Sequence, residues 1–161
     1  MGQIEDRLTA VGLTLPPEIV VPPGVKLPFA FVNVCGDRAI ASGHGPQGPD
    51  GKVAEPFGVV GHDVTVEQAY ESARLVALSM LGSLQRELGT LDRISHWVKA
   101  LGMIRCGPNF GQQPAVINGF SDLILELFGP DVGRHSRSAV GMSSLPFGMP
   151  VEIEAEVLLH P

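Results

Sequence analysis

The segment from position 151 to position 157 alternates strictly between apolar and acidic residues, and this alternation restricts the fold more than any other feature of the chain. The apolar positions hold Val151, Ile153, Ala155 and Val157, and the acidic positions hold Glu152, Glu154 and Glu156. Residues two positions apart lie on the same face of a β-strand, so the pattern predicts a strand with one buried face. Helices must then pack on the apolar face, which leaves the glutamate face to water or to neighbouring subunits.

A second strand is predicted just before this one. Apolar and small residues alternate at positions 138–142, and a stretch rich in proline and glycine at positions 146–150 can connect the two strands. If the two strands lie near each other in one sheet, Arg137 and Glu152 can face a common space. Arginine offers a planar fork of donors that matches a carboxylate ligand, and a glutamate can handle a proton or a water.

The clearest helix is predicted at positions 65–88. Thr65 and Gln68 form a capping box at its start, apolar residues follow at helical spacing, and Gly89 is a natural stop. The other predicted elements are a short helix over Ile4 to Leu13, strands over 29–34, 38–42 and 93–105, one further short strand near Lys52, and a helix from Pro114 to Gly129-Pro130. The order ββ, helix, β, helix, ββ indicates an α+β fold with two helices packed on one face of a mixed sheet.

Composition excludes several classes of function. The 161 residues fit a single domain, and the net charge of −6 with only 11 Lys and Arg residues argues against nucleic acid as a partner. Two cysteines make neither a disulfide framework nor a zinc site, and the five histidines show no metal-ligand spacing, so we predict no metal. No run approaches a membrane span, and we expect a soluble, cytoplasmic protein that does not bind membranes.

The stretch from Gly43 to Gly48 matches a dinucleotide-binding pattern in letters only. Pro49, Asp50 and Gly51 follow it, so no helix N-terminus is available to hold a pyrophosphate. We therefore predict a loop with a turn at Asp50-Gly51 and no nucleotide cofactor.

Three short motifs near the C-terminus resemble the reactive-intermediate deaminase family, often called RidA or YjgF. They are Arg137-Ser138-Ala139-Val140, Leu145-Pro146 and Val151-Glu152-Ile153-Glu154-Ala155. The longer run from Gly133 to Gly141 is similar to a branch of the family with an extended N-terminus, and positions 1–27 are interpreted as that extension of a single domain over 1–161. The resemblance implies a chorismate-mutase-like fold, a homotrimer and no cofactor.

The resemblance also implies roles for individual residues. Arg137 would hold the carboxylate of a small-molecule ligand, where the plain structural alternative is an ion pair with an acid such as Glu152. Glu152 would help to position a water, although spacing alone does not separate it from the other two glutamates of its strand. Ser42 and Asn118 would line the site, but each also fits an ordinary polar position in a strand end or a helix.

Three positions depart from the pattern of the deaminating members. Phe29 stands where those members have a tyrosine, and it can wall a pocket but offers no hydroxyl. Ala139 stands where many members have a cysteine, so no thiol nucleophile is expected there. His44 stands where a glutamine is common, and we interpret it as an exposed loop residue. Such a histidine is more often incidental than catalytic, although its pKa suits proton transfer.

The function implied by the resemblance is the hydrolysis of reactive 2-imino or 2-enamino acids to 2-keto acids and ammonia. A non-catalytic trimer that binds a small carboxylate metabolite is the alternative, and ammonia release from a fresh imino acid distinguishes the two. A third interpretation, an endoribonuclease that inhibits translation, follows older descriptions of the family, and the acidic charge balance argues against it.

Overall fold

The computed structural model describes residues 2–161, so only Met1 lies outside it. Its three helices are α1 (Gln3–Ala10), α2 (Val66–Leu88) and α3 (Gln113–Gly133). Its strands are β1 (Val32–Cys35), β2 (Arg38–His44), β3 (Ile94–Arg105), β4 (Ser136–Met142) and β5 (Val151–Leu159). Two 3₁₀ turns, Leu91–Arg93 and Pro146–Gly148, precede β3 and β5.

The five strands form one mixed sheet in the order β1-β2-β5-β3-β4. β3 and β4 run parallel, and every other neighbouring pair is antiparallel. β5 lies at the centre of the sheet, and β1 and β4 are its edges. The alternation in β5 has the predicted consequence, because its apolar residues are buried and its glutamates point to the opposite, open face.

The helices α2 and α3 cover one face of this sheet, which confirms the predicted α+β arrangement. Thr65 and Gln68 form the predicted capping box at the start of α2, and Gly89 ends that helix with a φ of 84°. The core between the layers includes Trp97 of β3, which packs edge-on against Phe120 and Phe128 of α3 with ring centroids 5.8 and 5.6 Å apart. These aromatic contacts fix how α3 lies across the sheet.

Several predicted elements differ in extent from the structure, and β1, for example, begins at Val32 rather than at position 29. The first helix ends at Ala10 rather than Leu13, because Gly12 takes a φ of 73° that terminates it. The expected strand near Lys52 is reduced to a single bridge between Gln47 and Val53. α3 breaks at Gly129, where φ is 74°, and a further helical turn continues to Gly133. None of these differences changes the layers of the fold.

No helix within residues 2–161 combines the length and the apolar character needed to cross a membrane. Nor does any trio of His, Cys, Asp or Glu side chains in that range lie close enough together to bind a metal ion.

Candidate functional site

Neutral oxygen atoms of α3 hold the guanidinium of Arg137 on the edge strand β4. Nη1 donates hydrogen bonds to Asn118 Oδ1 at 2.9 Å and to Ser121 Oγ at 3.1 Å, and Nη2 donates to the carbonyl oxygen of Pro114 at 3.4 Å. Asn118 and Ser121 are three residues apart, so both lie on the same side of the helix. Two side chains and one carbonyl therefore orient this arginine.

His135 supports the same arrangement from behind. Its Nδ1 lies 2.8 Å from the carbonyl oxygen of Gly133, which can only accept, so Nδ1 carries the proton. Nε2 then accepts a hydrogen bond from the hydroxyl of Ser121 at 3.0 Å, which leaves an oxygen lone pair of Ser121 for Arg137. Burial lowers the pKa of His135, and this favours the neutral ring that the arrangement requires.

Arg137 has no acidic partner within residues 2–161. The ion pairs of this part of the chain join other residues, and Glu152 takes part in none of them. The ion pair with Glu152 that the structural alternative expects is therefore absent within residues 2–161 of one chain. A partly exposed guanidinium that is oriented by neutral acceptors keeps its charge available for an anion.

Glu152 lies on the open face of β5, directly across the backbone of Gly43. A Cβ atom at Gly43 would collide with the carboxylate of Glu152, so a side chain at that position would force this carboxylate to move. Burial raises the pKa of Glu152, and the neighbouring negative charge of Glu154 adds to the rise. A carboxylate with a raised pKa is a stronger base than an ordinary one, which suits proton transfer near neutral pH.

Arg137 and Glu152 lie on opposite faces of the sheet. Ala100 of β3 pairs with Arg137 on one side and with Ala155 on the other, and Ala155 is buried beneath the helices. Paired residues share a face, so Arg137 also lies on the helix side. Two strand spacings and three residues along the strand separate it from Glu152, or about 14 Å between Cα atoms. The predicted common space within one chain is therefore wrong.

A cavity of about 400 Å³ opens beside Glu152. Phe29 lines it, half of its side chain is exposed, and its ring packs edge-on against Phe31 with centroids 5.5 Å apart. Residues 19–27 of the N-terminal segment form another wall. This wall was not predicted, although the apolar residues that lie among prolines at positions 19–27 were a usable signal for it.

The remaining predicted site residues fall on both sides of the sheet. Ser42 donates a hydrogen bond to the carbonyl oxygen of Ala30 at 2.7 Å and borders a groove on the open face beside Lys99 and Glu154. Ala139 lies two residues beyond Arg137 on the helix side, where it packs against the core. One group thus consists of Arg137, Asn118 and Ala139, and the other consists of Glu152, Phe29 and Ser42.

His44 is buried, which corrects its interpretation as an exposed loop residue. It ends β2, with Nδ1 donating to the carbonyl oxygen of Ser42 at 2.6 Å and Nε2 accepting from the hydroxyl of Ser83 at 2.9 Å. Burial lowers the pKa of His44 to about 4, and the positive charge of Arg86 contributes to the decrease. The ring is therefore neutral at pH 7, and both of its nitrogens are engaged within the protein.

Sequence reasoning also missed Ser121, His135 and the carbonyl oxygen of Pro114. The helical spacing of three between Asn118 and Ser121 was a signal for the first of them. His135 stands two residues before Arg137 in the same motif, but nothing in the sequence indicates that its ring turns towards α3. The carbonyl of Pro114 carries no sequence signal, since any residue there would present one.

Known proteins resemble this chain over most of its length. The family described as "YjgF/chorismate mutase-like, putative endoribonuclease" matches residues 5–153. Protein TCP17 of Trypanosoma cruzi is 41% identical over 145 residues, which cover 85% of this chain and 89% of TCP17. The crystal structure of protein Atu1372 from Agrobacterium tumefaciens is 38% identical, with a TM-score of 0.85 over 98% of this chain and 92% of that one.

More distant structures share the fold alone. The crystal structure of E. coli TdcF with bound serine is 19% identical, and its TM-score is 0.58 over 89% of this chain and 99% of TdcF. The match over residues 5–153 and the identity to TCP17 go beyond a shared fold. The chain belongs to the YjgF/chorismate mutase-like family.

Proposed function

We propose that this protein hydrolyses reactive 2-imino and 2-enamino acids to 2-keto acids and ammonia. Arg137 binds the carboxylate of the substrate, and Glu152 of an adjacent copy activates the water that attacks the imine carbon. The observation that carries the proposal is the guanidinium of Arg137, which neutral groups orient and no acid within residues 2–161 neutralises.

The donors that remain on Arg137 fit a carboxylate. A guanidinium has five N–H groups, and the three hydrogen bonds to Asn118, Ser121 and Pro114 leave two of them for a ligand. Two N–H groups of one planar fork can bind both oxygens of a carboxylate and so fix its direction. Lysine would supply the charge without this orientation.

The proposed reaction adds water across a carbon–nitrogen double bond. Glu152 removes a proton from water as the water oxygen bonds to C2 of the imine, and it then passes this proton to the imine nitrogen, which restores its carboxylate. The resulting carbinolamine loses ammonia as its hydroxyl proton moves to the nitrogen, its C–N bond breaks and C2 becomes a carbonyl, so one water is consumed for each ammonia released. Because the imine is already electrophilic, orientation of the two reactants accounts for most of the required catalysis.

The geometry of one chain supports a site that is shared between copies. Glu152 opens into the cavity beside Phe29, whereas Arg137 projects at the edge strand on the other side of the sheet. A ligand that touches both groups must therefore lie between two copies. Within residues 2–161 no helix covers the glutamate face of the sheet. A homotrimer that buries this face would repeat the shared site around its axis.

Complementation between two inactive variants tests the shared site. Arg137→Ala and Glu152→Gln should each abolish ammonia release from imino acids generated in the assay, measured above the rate in buffer. When the two variants are unfolded, mixed and refolded together, random assembly combines an intact Arg137 with an intact Glu152 at about a quarter of the sites. We expect about a quarter of the wild-type activity to return.

Two matched variants serve as controls. Arg134→Ala removes an exposed arginine three residues from Arg137, and Glu154→Gln removes the next glutamate on the open face, so both should retain activity. No recovery in a mixture that light scattering shows to be assembled would contradict a shared site. Full activity of the Arg137→Ala variant would contradict the proposed function itself.

Binding without turnover is the second candidate, because Phe29 brings no hydroxyl to the cavity where the deaminating relatives have one. Titration with a 2-keto acid separates the two candidates. If Arg137→Ala weakens binding of the keto acid while the wild-type protein releases no ammonia from any imino acid, the protein is a carboxylate-binding trimer.

A further inference from the structure

The N-terminal segment covers the cavity beside Glu152, and its chemistry indicates which substrates enter. We infer that residues 19–27 make this site select imino acids with a large apolar side chain, such as those derived from leucine or phenylalanine, over the small alanine-derived one. This inference rests on the proposed function for the reaction, but the selection itself can be measured with unreactive ligands.

Several hydrogen bonds fix the start of this segment to the body of the protein. Gln47 Nε2 donates to the carbonyl oxygen of Pro17 at 2.8 Å, and Arg86 Nη1 donates to that of Pro16 at 3.3 Å. The backbone N–H of Val20 donates to the carbonyl oxygen of Gly51 at 3.1 Å. The segment is thus a built wall of the cavity.

Gly51 shows how closely the segment approaches the body. A Cβ at this residue would lie 2.9 Å from the carbonyl oxygen of Glu18, and the φ of Gly51 is 82°. Only glycine combines this backbone conformation with so close an approach. The turn at Asp50-Gly51 therefore serves to seat residues 18–20 against the loop that follows β2.

The wall that the segment contributes is apolar. Its side chains in the cavity are Ile19, Val20, Val21, Pro22, Val25 and Leu27. Phe29, Phe31, Val53 and Met149 extend the same surface on the other sides. Transfer of a ligand group from water to this surface is favourable for binding only if the group is itself apolar.

All polar side chains of the cavity except one form hydrogen bonds within the protein. Both nitrogens of His44 are hydrogen-bonded within the protein, to Ser42 and Ser83. The amide of Gln47 donates to Pro17 and to Gly51 and accepts from Ser79. Glu152 has no hydrogen-bond partner within residues 2–161, and its side chain is the polar group left for a ligand. The cavity thus offers one carboxylate to the reacting end and apolar walls to the remainder.

The size of the cavity agrees with this division. About 400 Å³ accommodates a branched aliphatic or an aromatic side chain together with the reacting group, and an alanine-derived methyl group would leave most of it empty. Each methylene group buried in an apolar pocket increases affinity about fourfold, and the leucine side chain has three carbons more than that of alanine. We therefore expect the leucine-derived ligand to bind about sixtyfold more tightly than the alanine-derived one.

Calorimetric titration with 2-keto acids tests the selection without requiring turnover. The ligands are pyruvate, 4-methyl-2-oxopentanoate and phenylpyruvate, which carry the side chains of alanine, leucine and phenylalanine. Val21→Ser should reduce the preference for the two larger ligands about tenfold and leave the affinity for pyruvate nearly unchanged. Leu27→Ser should have the same effect, and a melting curve for each variant checks that it is folded.

Val11→Ser is the matched control, because Val11 belongs to the N-terminal extension (1–27) but precedes the wall formed by residues 19–27, is exposed and does not line the cavity. It should keep the wild-type preference. Equal affinities for pyruvate and the larger ligands would overturn the inference. An unchanged preference in Val21→Ser would also overturn it, as expected if a second copy of the chain fills the cavity. Ammonia release from imino acids is measured separately. Its absence would contradict the proposed hydrolysis without affecting the selection, and equal ligand affinities would contradict the selection without affecting the hydrolysis.

Discussion

The burial of His44 predicts a specific loss of stability in acid. The pKa of the ring falls from 6.5 to about 4 in the folded protein, whereas the unfolded chain restores the ordinary value. Between these two values the unfolded state binds a proton that the folded state does not, so stability increases with pH across this interval. Acidification from pH 7 to pH 4 should therefore cost roughly 3 kcal/mol through His44, at about 1.4 kcal/mol for each pKa unit.

The contacts of His44 explain why the folded state resists the proton. Nε2 accepts a hydrogen bond from the hydroxyl of Ser83, and the oxygen of Ser83 in turn accepts one from Arg86 Nη2 at 3.2 Å. A proton on Nε2 would place two donors face to face until Ser83 turns away. The new charge would also be buried near the guanidinium of Arg86.

Urea unfolding between pH 4 and pH 7.5 measures the effect, with fluorescence of Trp97 as the signal. Trp97 is the single tryptophan and is fully buried, so its emission reports loss of the core. His44→Gln keeps a side chain that can donate and accept but cannot titrate, and its stability should fall less steeply with acid than that of the wild type. The comparison is made at one protein concentration, because assembly of the proposed trimer would also contribute to stability.

His160→Gln provides the control, since this histidine is exposed near the C-terminus. It should leave the pH dependence of stability as in the wild type. Parallel curves for the wild type and His44→Gln across the whole interval would refute the reasoning, because they would show that His44 does not change its proton affinity on folding.

Two further predictions concern the packing and capping of the helices. Gly119→Ala places a Cβ against the backbone carbonyl of Tyr70, and no change of rotamer can relieve this contact. We expect the free energy of unfolding, measured in urea, to fall by about 1–3 kcal/mol. Gly107→Ala is the control, because its Cβ meets open space and should change stability little. Thr65→Ala removes the acceptor for the N–H of Gln68, 3.1 Å away, and should lower the free energy of unfolding by about 1 kcal/mol in the same assay.

The layers of the fold could be predicted because local signals carry them. The capping box at Thr65 and Gln68 locates the start of α2, and the alternation in β5 assigns its faces without any knowledge of its neighbours. The strand predicted near Lys52 does not form, for a reason that the pattern of apolar and polar residues cannot show. Gly48 and Gly51 close a tight turn there, which leaves room for one bridge rather than a ladder.

The burial of His44 could not be predicted from the sequence, because it depends on an irregularity in strand pairing. A register shift between Ala41 and His44 changes the pairing of β2 with β5, so that His44 aligns with Ile153 on the helix side. Simple alternation from Ala41 would place position 44 on the open face. An irregularity of one residue in a strand reverses the face of every residue after it, and such irregularities leave no reliable mark in the sequence.

The relation between Arg137 and Glu152 depends on a strand that lies between theirs. Alternation within β4 and within β5 gives two faces to each strand, but it does not say which face of one strand matches which face of the other. β3 supplies that relation through Ala100, which pairs with Arg137 and with Ala155, and Ala155 lies under the helices. A register shifted by one residue would have placed Arg137 on the open face with Glu152. With the observed register, the carboxylate-binding group and the water-activating group of the proposed reaction meet only when a second copy brings its own cavity to the edge at β4. The catalytic unit of the proposed function is then the interface between two copies, and residues that change assembly should change activity without touching the substrate.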